Sequence, residues 1–487
     1  MGKISNNITT NFIWRFGERV FAQGVTFVVS VVLARLLDPN VYGTIALVTV
    51  FTAILEVFIT HGIGTALVQK KDASSVDFSS AFYFNVVASL VLYALLYFAA
   101  PAISAFYNRP ELTSLVRVIS LTLVISSVKN IQHAYVSRNM MFRKFFFATL
   151  GGTIGAAVIG IWMAYRGYGV WALVAQSLFN NTMDTVILWV TVKWRPTREF
   201  SFASLKQLFS YGWKLLVSEL INKGYTELRA LIIGKKYTSE DLAFYTKGEQ
   251  MPKLIVRNIN ASIDSVLLPT MSKAQDDATR VKNMTSRAIK TSTYIMMPLM
   301  VGLAVCAEPV VRLLLTEKWL PCVPFLRIYC FTFAFYPIHT ANLNAIKAMG
   351  RSDLFLKMEI IKKCIGLIAL LITMNISVEA MAYSLLFTTT LAQVINSWPN
   401  RKLLNYHYGE QIMDMLPQIL LSIAMGAMVY ALNFLKWNDI PRLALQVLLG
   451  VAIYLLGSKL FHIDSYTYLL QTVKSMLGKH TKRKAKE

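Results

Sequence analysis

Arg15 and Arg19 stand one helical turn apart, and with Asn11, Glu18 and Gln23 they share one broad face at helical spacing. Lys214, Ser218, Asn222, Tyr225 and Arg229 repeat the pattern further along, beside Glu219, Lys223 and Glu227, which sit four apart and can neutralise one another. The densest stripe is Lys247, Gln250, Lys253, Arg257, Asn260 and Asp264, spaced three or four apart around Pro252. Glu56, Thr60 and His61 form a shorter polar group. These residue types suit binding rather than bond-making. The six histidines form no metal-ligand cluster, and no phosphate-cradling glycine loop, nucleophile elbow or paired carboxylates accompany them. No metal and no cofactor is expected.

The elements that position these stripes are apolar. The 487-residue chain is 55% hydrophobic and 15% charged, with a mean hydropathy of +0.49, which belongs to an all-α polytopic membrane protein. About fourteen windows are long enough to cross a bilayer. They fall near 11–36, 42–66, 80–102, 112–134, 145–165, 168–192, 208–233, 242–268, 287–315, 324–347, 356–375, 378–397, 413–434 and 441–461. A charge facing lipid at mid-span costs roughly 2.5–3.5 kcal/mol. Arg15, Arg19 and Arg257, several turns from the nearest loop, are therefore expected to line a water-filled cavity. Lys214, Lys247 and Lys253 either join them or snorkel to an interface. The proline-bent polar helix around Pro252 suits the same cavity.

Loop charge sets orientation. Connections after even-numbered spans carry Lys70, Lys71, Arg138, Arg143, Lys144, Lys193, Arg195, Arg198, Lys273, Arg280, Lys282, Arg351, Arg401 and Lys402, and the C-terminus adds another basic cluster. The opposite connections hold far fewer, so both termini are expected in the cytoplasm. This bias accounts for the net charge of +23, and nucleic acid is not an expected partner because no binding motif accompanies it. Cys306, Cys322, Cys330 and Cys364 lack metal-ligand spacing and read as small buried hydrophobes. The N-terminus shows no cleavable signal pattern, so the first span is expected to remain as a helix.

The chain also repeats itself. Val116 to Thr122 matches Leu326 to Thr332 at an offset of 210, aligning Arg117 with Arg327 and, further on, Lys129 with His339. Pro101 meets Pro309 at an offset of 208, and Ala34 to Gly43 meets Gly234 to Ala243 at 200. Two six-helix halves of like orientation follow, related by an axis along the membrane normal. The expected division is 1–200 and 201–405 for the two lobes, 406–465 for two additional spans and 466–487 for a basic tail. Arg117 and Arg327 either do one shared structural job or snorkel.

Leu33-Ala34-Arg35-Leu36-Leu37-Asp38-Pro39-Asn40-Val41-Tyr42-Gly43, placed after an arginine-bearing first span, resembles a hallmark of Wzx-type polysaccharide flippases of the multidrug/oligosaccharidyl-lipid/polysaccharide superfamily, in the colanic-acid and exopolysaccharide branch. Locally, Asp38 reads as a cap and Pro39 as the first residue of the second helix. The resemblance covers essentially the whole chain. Ser239 to Tyr245 matches the corresponding turn of the second half, with Ala243 where glycine is usual. The resemblance implies a MATE-like fold of two six-helix lobes and two trailing helices, a bacterial inner-membrane location, and alternating-access transport of an oligosaccharide on undecaprenyl diphosphate. Membrane lipids and the polysaccharide polymerase machinery are the implied partners. Arginine forks match phosphate oxygens, so Arg15, Arg19 and Arg257 would hold the diphosphate, supported by Lys214, Lys247 and Lys253. Trp14, Tyr225 and Tyr245 are available for sugar stacking, and the spans after 412 for the lipid tail. Glu56 and Asp264 are candidates for proton or sodium coupling and equally for fixed counter-ions. A multidrug/cation antiporter would want an acidic cavity, and a glycan polymerase a large outward loop; neither suits this chain as well.

Overall fold

The computed structural model describes residues 21–435 and 437–484, with side chains for all of these except 142, 473 and 476–484. Among the described residues the regular structure is entirely helical. The first half runs α1 (Phe21–Leu36), α2 (Pro39–Thr60), α3 (Ile63–Gln69), α4 (Ser75–Tyr107), α5 (Leu112–Ile119), α6 (Leu121–Arg138), α7 (Phe142–Tyr165) and α8 (Val170–Thr191). The second comprises α9 (Phe202–Lys236), α10 (Ser239–Ser272), α11 (Ala278–Val305), α12 (Ala307–Leu315), α13 (Val323–Ala334), α14 (Tyr336–Ala348), α15 (Ser352–Thr373) and α16 (Val378–Leu403). Then come α17 (Tyr408–Ala431), α18 (Asp439–Leu460) and α19 (Asp464–Lys484).

A helix or helix pair stands at each expected span position. Nine candidate spans among the described residues are long and apolar enough to cross a membrane. The helices at the other span positions are α1, α8, α9, α10 and α15; α1 is described over a short length, and the others are more polar. Several long spans are broken in two: α2 from α3 at Gly62, α5 from α6 at Ser120, and α13 from α14 at Phe335.

Local chemistry fixes the helix starts. Ser74 and Asp77 exchange hydrogen bonds in a capping box at α4 (Asp77 N to Ser74 Oγ 3.2 Å, Ser74 N to Asp77 Oδ2 2.8 Å), and Lys70 anchors the same carboxylate at 2.9 Å. Pro39 takes the first position of α2 as expected, and Asp38 sits at the cap with extended backbone. Asp38 nevertheless makes no side-chain cap bond, which corrects half of that expectation: proline lacks the N–H and pre-sets φ, so the turn needs less capping. The matching start of α10 uses a reciprocal pair instead, Thr238 N to Asp241 Oδ2 and Asp241 N to Thr238 Oγ1, both 3.1 Å.

By their contacts the residues form two compact units, 1–243 and 244–487. In the first, α9 lies against α2, α3 and α4. Glycines permit the approach: Gly62, at φ +92°, and Gly212 face each other so closely that a Cβ on Gly212 would come within 2.8 Å of the Gly62 carbonyl carbon. The apolar interior here includes Leu67, Phe78, Ile131, Phe145, Leu188 and Trp194. In the second unit, α11 packs against α13, α14 and α17, around Met271, Ile289, Ile338 and Tyr406.

Apolar surface alone gives little drive for association in lipid, so interhelical hydrogen bonds specify the packing, at about 0.6 kcal/mol each. Ser89 Oγ donates to Ser127 Oγ at 2.8 Å. Asn400 Nδ2 donates to Asn342 Oδ1 at 2.7 Å, and Asn342 Nδ2 to Gln411 Oε1 at 3.0 Å.

Candidate functional site

The stripes divide on inspection into charges held by the protein and charges left open. Arg15, Arg19 and Trp14 lie outside the described residues. On α9, Lys214 is exposed and has no ion pair among the described residues. Lys223 and Glu227 neutralise each other at 2.7 Å, as their spacing predicts.

α10 carries most of the remaining candidates. Lys247 is only 7% exposed, with its Nζ 5.4 Å from the Trp319 ring centroid. Its stem is enclosed in protein, so the interfacial snorkelling open to it from sequence is not its arrangement. Tyr245 is buried edge-on against Phe325 and Tyr329, 5.8 and 5.6 Å between ring centroids, and serves packing rather than an open stacking surface. The backbone of α10 approaches α13 here, where a Cβ on Gly248 would lie 2.6 Å from Phe325 Cβ.

One turn further, Lys253 pairs with Glu249 at 2.8 Å. Arg257, four residues on and thus on the same face, is exposed with no ion pair among the described residues. The far end of the stripe turns to α14: Thr340 Oγ1 donates to Asn260 Oδ1 at 2.6 Å, and Asn344 Nδ2 to Asp264 Oδ1 at 2.8 Å. Glu56, in the first unit, accepts from Ser126 Oγ at 3.2 Å. Both candidate coupling carboxylates therefore accept hydrogen bonds from neutral donors, Ser126 for Glu56 and Asn344 for Asp264.

Sequence reasoning missed several polar clusters. Lys129 Nζ lies 3.1 Å from Asp184 Oδ2 and 2.9 Å from Asn181 Oδ1, with His133 Nε2 at 3.8 Å from the same carboxylate oxygen. Asp184 was legible as an acid in mid-span opposite a mid-span lysine. On α11, Arg287 and Lys290 line a cavity closed by Asp464 and Tyr468 of α19; their spacing of three was visible in the sequence, their meeting with α19 was not. Cys306, Cys322 and Cys330 are buried as expected, whereas Cys364 is exposed on α15, correcting its assignment as a buried side chain.

The start of α10 is held within the first unit. Ser239 Oγ bonds Asn40 Oδ1, and Arg109 donates to Ser239 Oγ at 2.9 Å and to Thr44 Oγ1 at 3.4 Å. Gly43 makes this approach possible, since a Cβ there would sit 1.7 Å from the Ser239 carbonyl oxygen.

Comparison with known proteins adds to this geometry. Residues 32–324 match a family described as polysaccharide biosynthesis protein, and residues 239–445 match the lipid II flippase MurJ family. Among curated relatives, the teichuronic acid biosynthesis protein TuaB of Bacillus subtilis (strain 168) is 23% identical, covering 83% of this chain and 85% of that protein. The lipopolysaccharide biosynthesis protein WzxC of Escherichia coli (strain K12) is 24% identical, covering 85% and 86%. Among solved structures, lipid II flippase MurJ in an inward closed conformation superposes with a TM-score of 0.75 at 16% identity, covering 93% of this chain and 99% of that one. An inward-facing multidrug resistance MATE family transporter gives 0.62 at 14% identity, covering 81% and 98%. The fold is MATE-like.

Proposed function

The chain belongs to the polysaccharide biosynthesis protein family, and from that premise we propose that it is a flippase moving a lipid-linked oligosaccharide across the bacterial inner membrane. The carrier in this reading is undecaprenyl diphosphate, the direction cytoplasm to outer face, and the product a repeat unit for surface or exopolysaccharide assembly. The polymerase machinery would receive it. Both termini are cytoplasmic, as the loop charges require.

One observation supports the reading above others: a span position is occupied by α10, a helix with internal Pro252 and Pro269 and a polar face running Lys253, Arg257, Asn260 and Asp264. Such a helix is unfavourable against lipid and suited to a hydrated passage. Arg257 offers its guanidinium fork to phosphate oxygens; Arg15 and Arg19, the other arginines the sequence assigns to the diphosphate, lie outside the described residues. Lys214 is a further open cation. Lys253, paired with Glu249, and Lys247, enclosed beside Trp319, contribute charge with less freedom to reach a ligand.

Transport proceeds by alternating access, the lipid tail staying in the bilayer while head and glycan cross. Glu56 and Asp264 are proposed for proton or sodium coupling, and transport measured under imposed gradients with Glu56→Gln and Asp264→Asn tests them. A cation antiporter of like fold is disfavoured by the basic character of these helices.

Cells lacking the chain should accumulate oligosaccharide on undecaprenyl diphosphate and lose the corresponding surface glycan, both restored by the intact gene. Arg257→Ala should fail to restore export at matched membrane level. Unchanged lipid intermediates, in a strain with no second flippase, would overturn the assignment.

A further inference from the structure

One face of α6 in the first unit carries Ser126, Lys129 and His133, at i, i+3 and i+7, and each meets an ionisable partner. Ser126 Oγ donates to Glu56 Oε1 of α2 at 3.2 Å. Lys129 Nζ reaches Asp184 Oδ2 and Asn181 Oδ1 of α8 at 3.1 and 2.9 Å. His133 Nε2 lies 3.8 Å from the same Asp184 oxygen, its ring centroid 4.6 Å from that of Phe145 on α7. Two atoms of this cluster, Asp184 Oδ1 and His133 Nε2, are buried without a hydrogen-bond partner among the described residues. A carboxylate oxygen and an imidazole nitrogen left with free lone pairs side by side are costly if packing is their only purpose.

The second unit shows that packing does not demand these groups. At the offset of 210, Lys129 corresponds to His339 and His133 to Leu343, and the residue facing His339 is the neutral Asn396, at 3.0 Å. The helices are linked there without a carboxylate at that place. Asp184 and His133 are therefore ionisable groups beyond what the link requires, and a carboxylate with a histidine neighbour inside a membrane span is the make-up of a proton relay.

α8 extends the polar path. Asn180, four residues before Asp184 and so on the same face, lines a cavity of about 190 Å³ with Gln176 and Ser177, Thr26 of α1 and Thr153 of α7. It has room for several waters and polar groups to hold them. α7 closes on this turn at Gly152, where a Cβ would lie 3.0 Å from Asn180 Oδ1 and 3.4 Å from Asp184 N. On the proposed orientation α6 and α8 both run from the outer face to the cytoplasm. At 1.5 Å per residue Gln176 is about 12 Å to the outer side of Asp184, and Asp184 about 10 Å before the α8 end at Thr191. His133 is about 8 Å before the α6 end at Arg138. Cavity, carboxylate and imidazole succeed one another toward the cytoplasm.

We propose that Asp184 is a proton-binding site, filled from the α8 cavity and emptied through His133, so that inward proton movement drives the lipid-linked oligosaccharide outward; the proposal rests on the flippase reading above. Asp184 Oδ1 takes a proton from a hydronium in the cavity, leaving water. The carboxyl gives that proton to His133 Nε2, and the imidazolium gives it to cytoplasmic water. Lys129 is a positioning residue: it holds the carboxylate while charged and keeps its bond to Asn181 Oδ1 when Asp184 is neutral. Among the described residues, the charged side chains on the other helices packed around α6 and α8 are Arg35 at the outer end of α1, Glu56 on α2, Asp77 on α4, Arg117 on α5, and Arg143 and Lys144 on α7. Asp77 is paired with Lys70, Arg117 bonds the Tyr97 carbonyl, Arg143 lies over the Phe147 ring and Lys144 bonds the Thr191 carbonyl. Glu56 joins the α6 stripe through Ser126.

The test uses everted membrane vesicles from deletion cells, which hold the accumulated lipid-linked oligosaccharide, fused with proteoliposomes of the full chain. Transport is scored as glycan protected from an impermeant oxidant. A lumen-acid gradient should speed protection, a protonophore should abolish that gain, and a sodium gradient should give none. Asp184→Asn should lose the gain at matched membrane level. So should Lys129→Gln with Asp184→Asn, which installs a neutral link like that of the second unit and guards against a misfolded single variant. His133→Gln leaves the ion pair intact and should flatten the dependence of transport on cytoplasmic-side pH. In the purified full chain, infrared difference spectra on acidification should show a protonated-carboxyl band that Asp184→Asn removes. A full gain in the Asp184 variants, a gain driven by sodium and not by protons, or a carboxyl band unchanged by Asp184→Asn would overturn the site and leave the flippase reading standing. Deletion cells that accumulate no lipid-linked oligosaccharide would overturn that reading and the coupling with it.

Discussion

Lys129 on α6 and His339 on α14 occupy matching places in the two repeats, and each reaches across to the neighbouring helix, α8 or α16, at Asp184 or Asn396. In the first unit the link is ionic, Lys129 to Asp184 at 3.1 Å. In the second it is neutral, Asn396 Nδ2 lying 3.0 Å from His339 Nδ1, with the amides of Asn342, Asn400 and Gln411 nearby in the same unit. The geometry of the repeat survives a complete change of chemistry at that position. What is retained is the requirement that a polar group entering the packed interior find a partner.

The opposite case is Arg117 and Arg327, identical in type and in role. Arg117 Nε donates to the Tyr97 carbonyl at 3.3 Å, and Arg327 Nε to the Ala304 carbonyl at 3.2 Å. The shared structural job suggested by the duplication is therefore a staple from one span to the carbonyl of the preceding one. Arg117 additionally lies 4.3 Å over the Tyr97 ring.

Seven single variants and one double variant would break or sharpen this comparison, all read by thermal unfolding of the detergent-purified chain. The largest effect is expected for Asp184→Ala, which leaves Lys129 confined without its counter-ion and should cost about 3 kcal/mol or more. Asn396→Ala should cost only about 1 kcal/mol. Equal losses at the two sites would show that the ionic and neutral links are energetically interchangeable. Next is Gly43→Ala, where the added Cβ meets the Ser239 carbonyl and forces a shift costing about 1–3 kcal/mol. Gly24→Ala, with nothing within 4 Å of its Cβ, should instead be neutral or gain up to about 1 kcal/mol from helix propensity; a neutral Gly43→Ala would mean that the α2 and α10 starts are not so close. Arg117→Ala should cost about 1–2 kcal/mol, exceeding Arg327→Ala at about 1 kcal/mol by the ring contact. Their double variant should be additive within about 0.5 kcal/mol if the staples act independently. The smallest effect belongs to Lys223→Ala, which removes an i,i+4 pair worth about 0.3–0.5 kcal/mol and should leave folding almost untouched.

Gly43 and Ala243 show how much of the site could be read in advance. Both were visible as the ends of matched turns, and the alanine looked like a departure from pattern. The structure explains the asymmetry: the Gly43 position faces the backbone of the α10 start, while the Ala243 side chain is buried in a place that accepts a Cβ. On α10, the spacing of Lys253, Arg257 and Asp264 placed them on one stripe, but not which would be tied down. Glu249 and Asn344 decide that.

From sequence alone came the helical membrane class, the span positions, the duplication and the stripes, because hydrophobic length and helical period are local properties written in consecutive residues. Only the tertiary structure decided which charges are enclosed, paired or open, and that α9 packs within the first unit. Those outcomes depend on residues far apart in the chain meeting in space, as Ser79 does with Thr197 and Arg287 with Tyr468, and no local pattern encodes such a meeting.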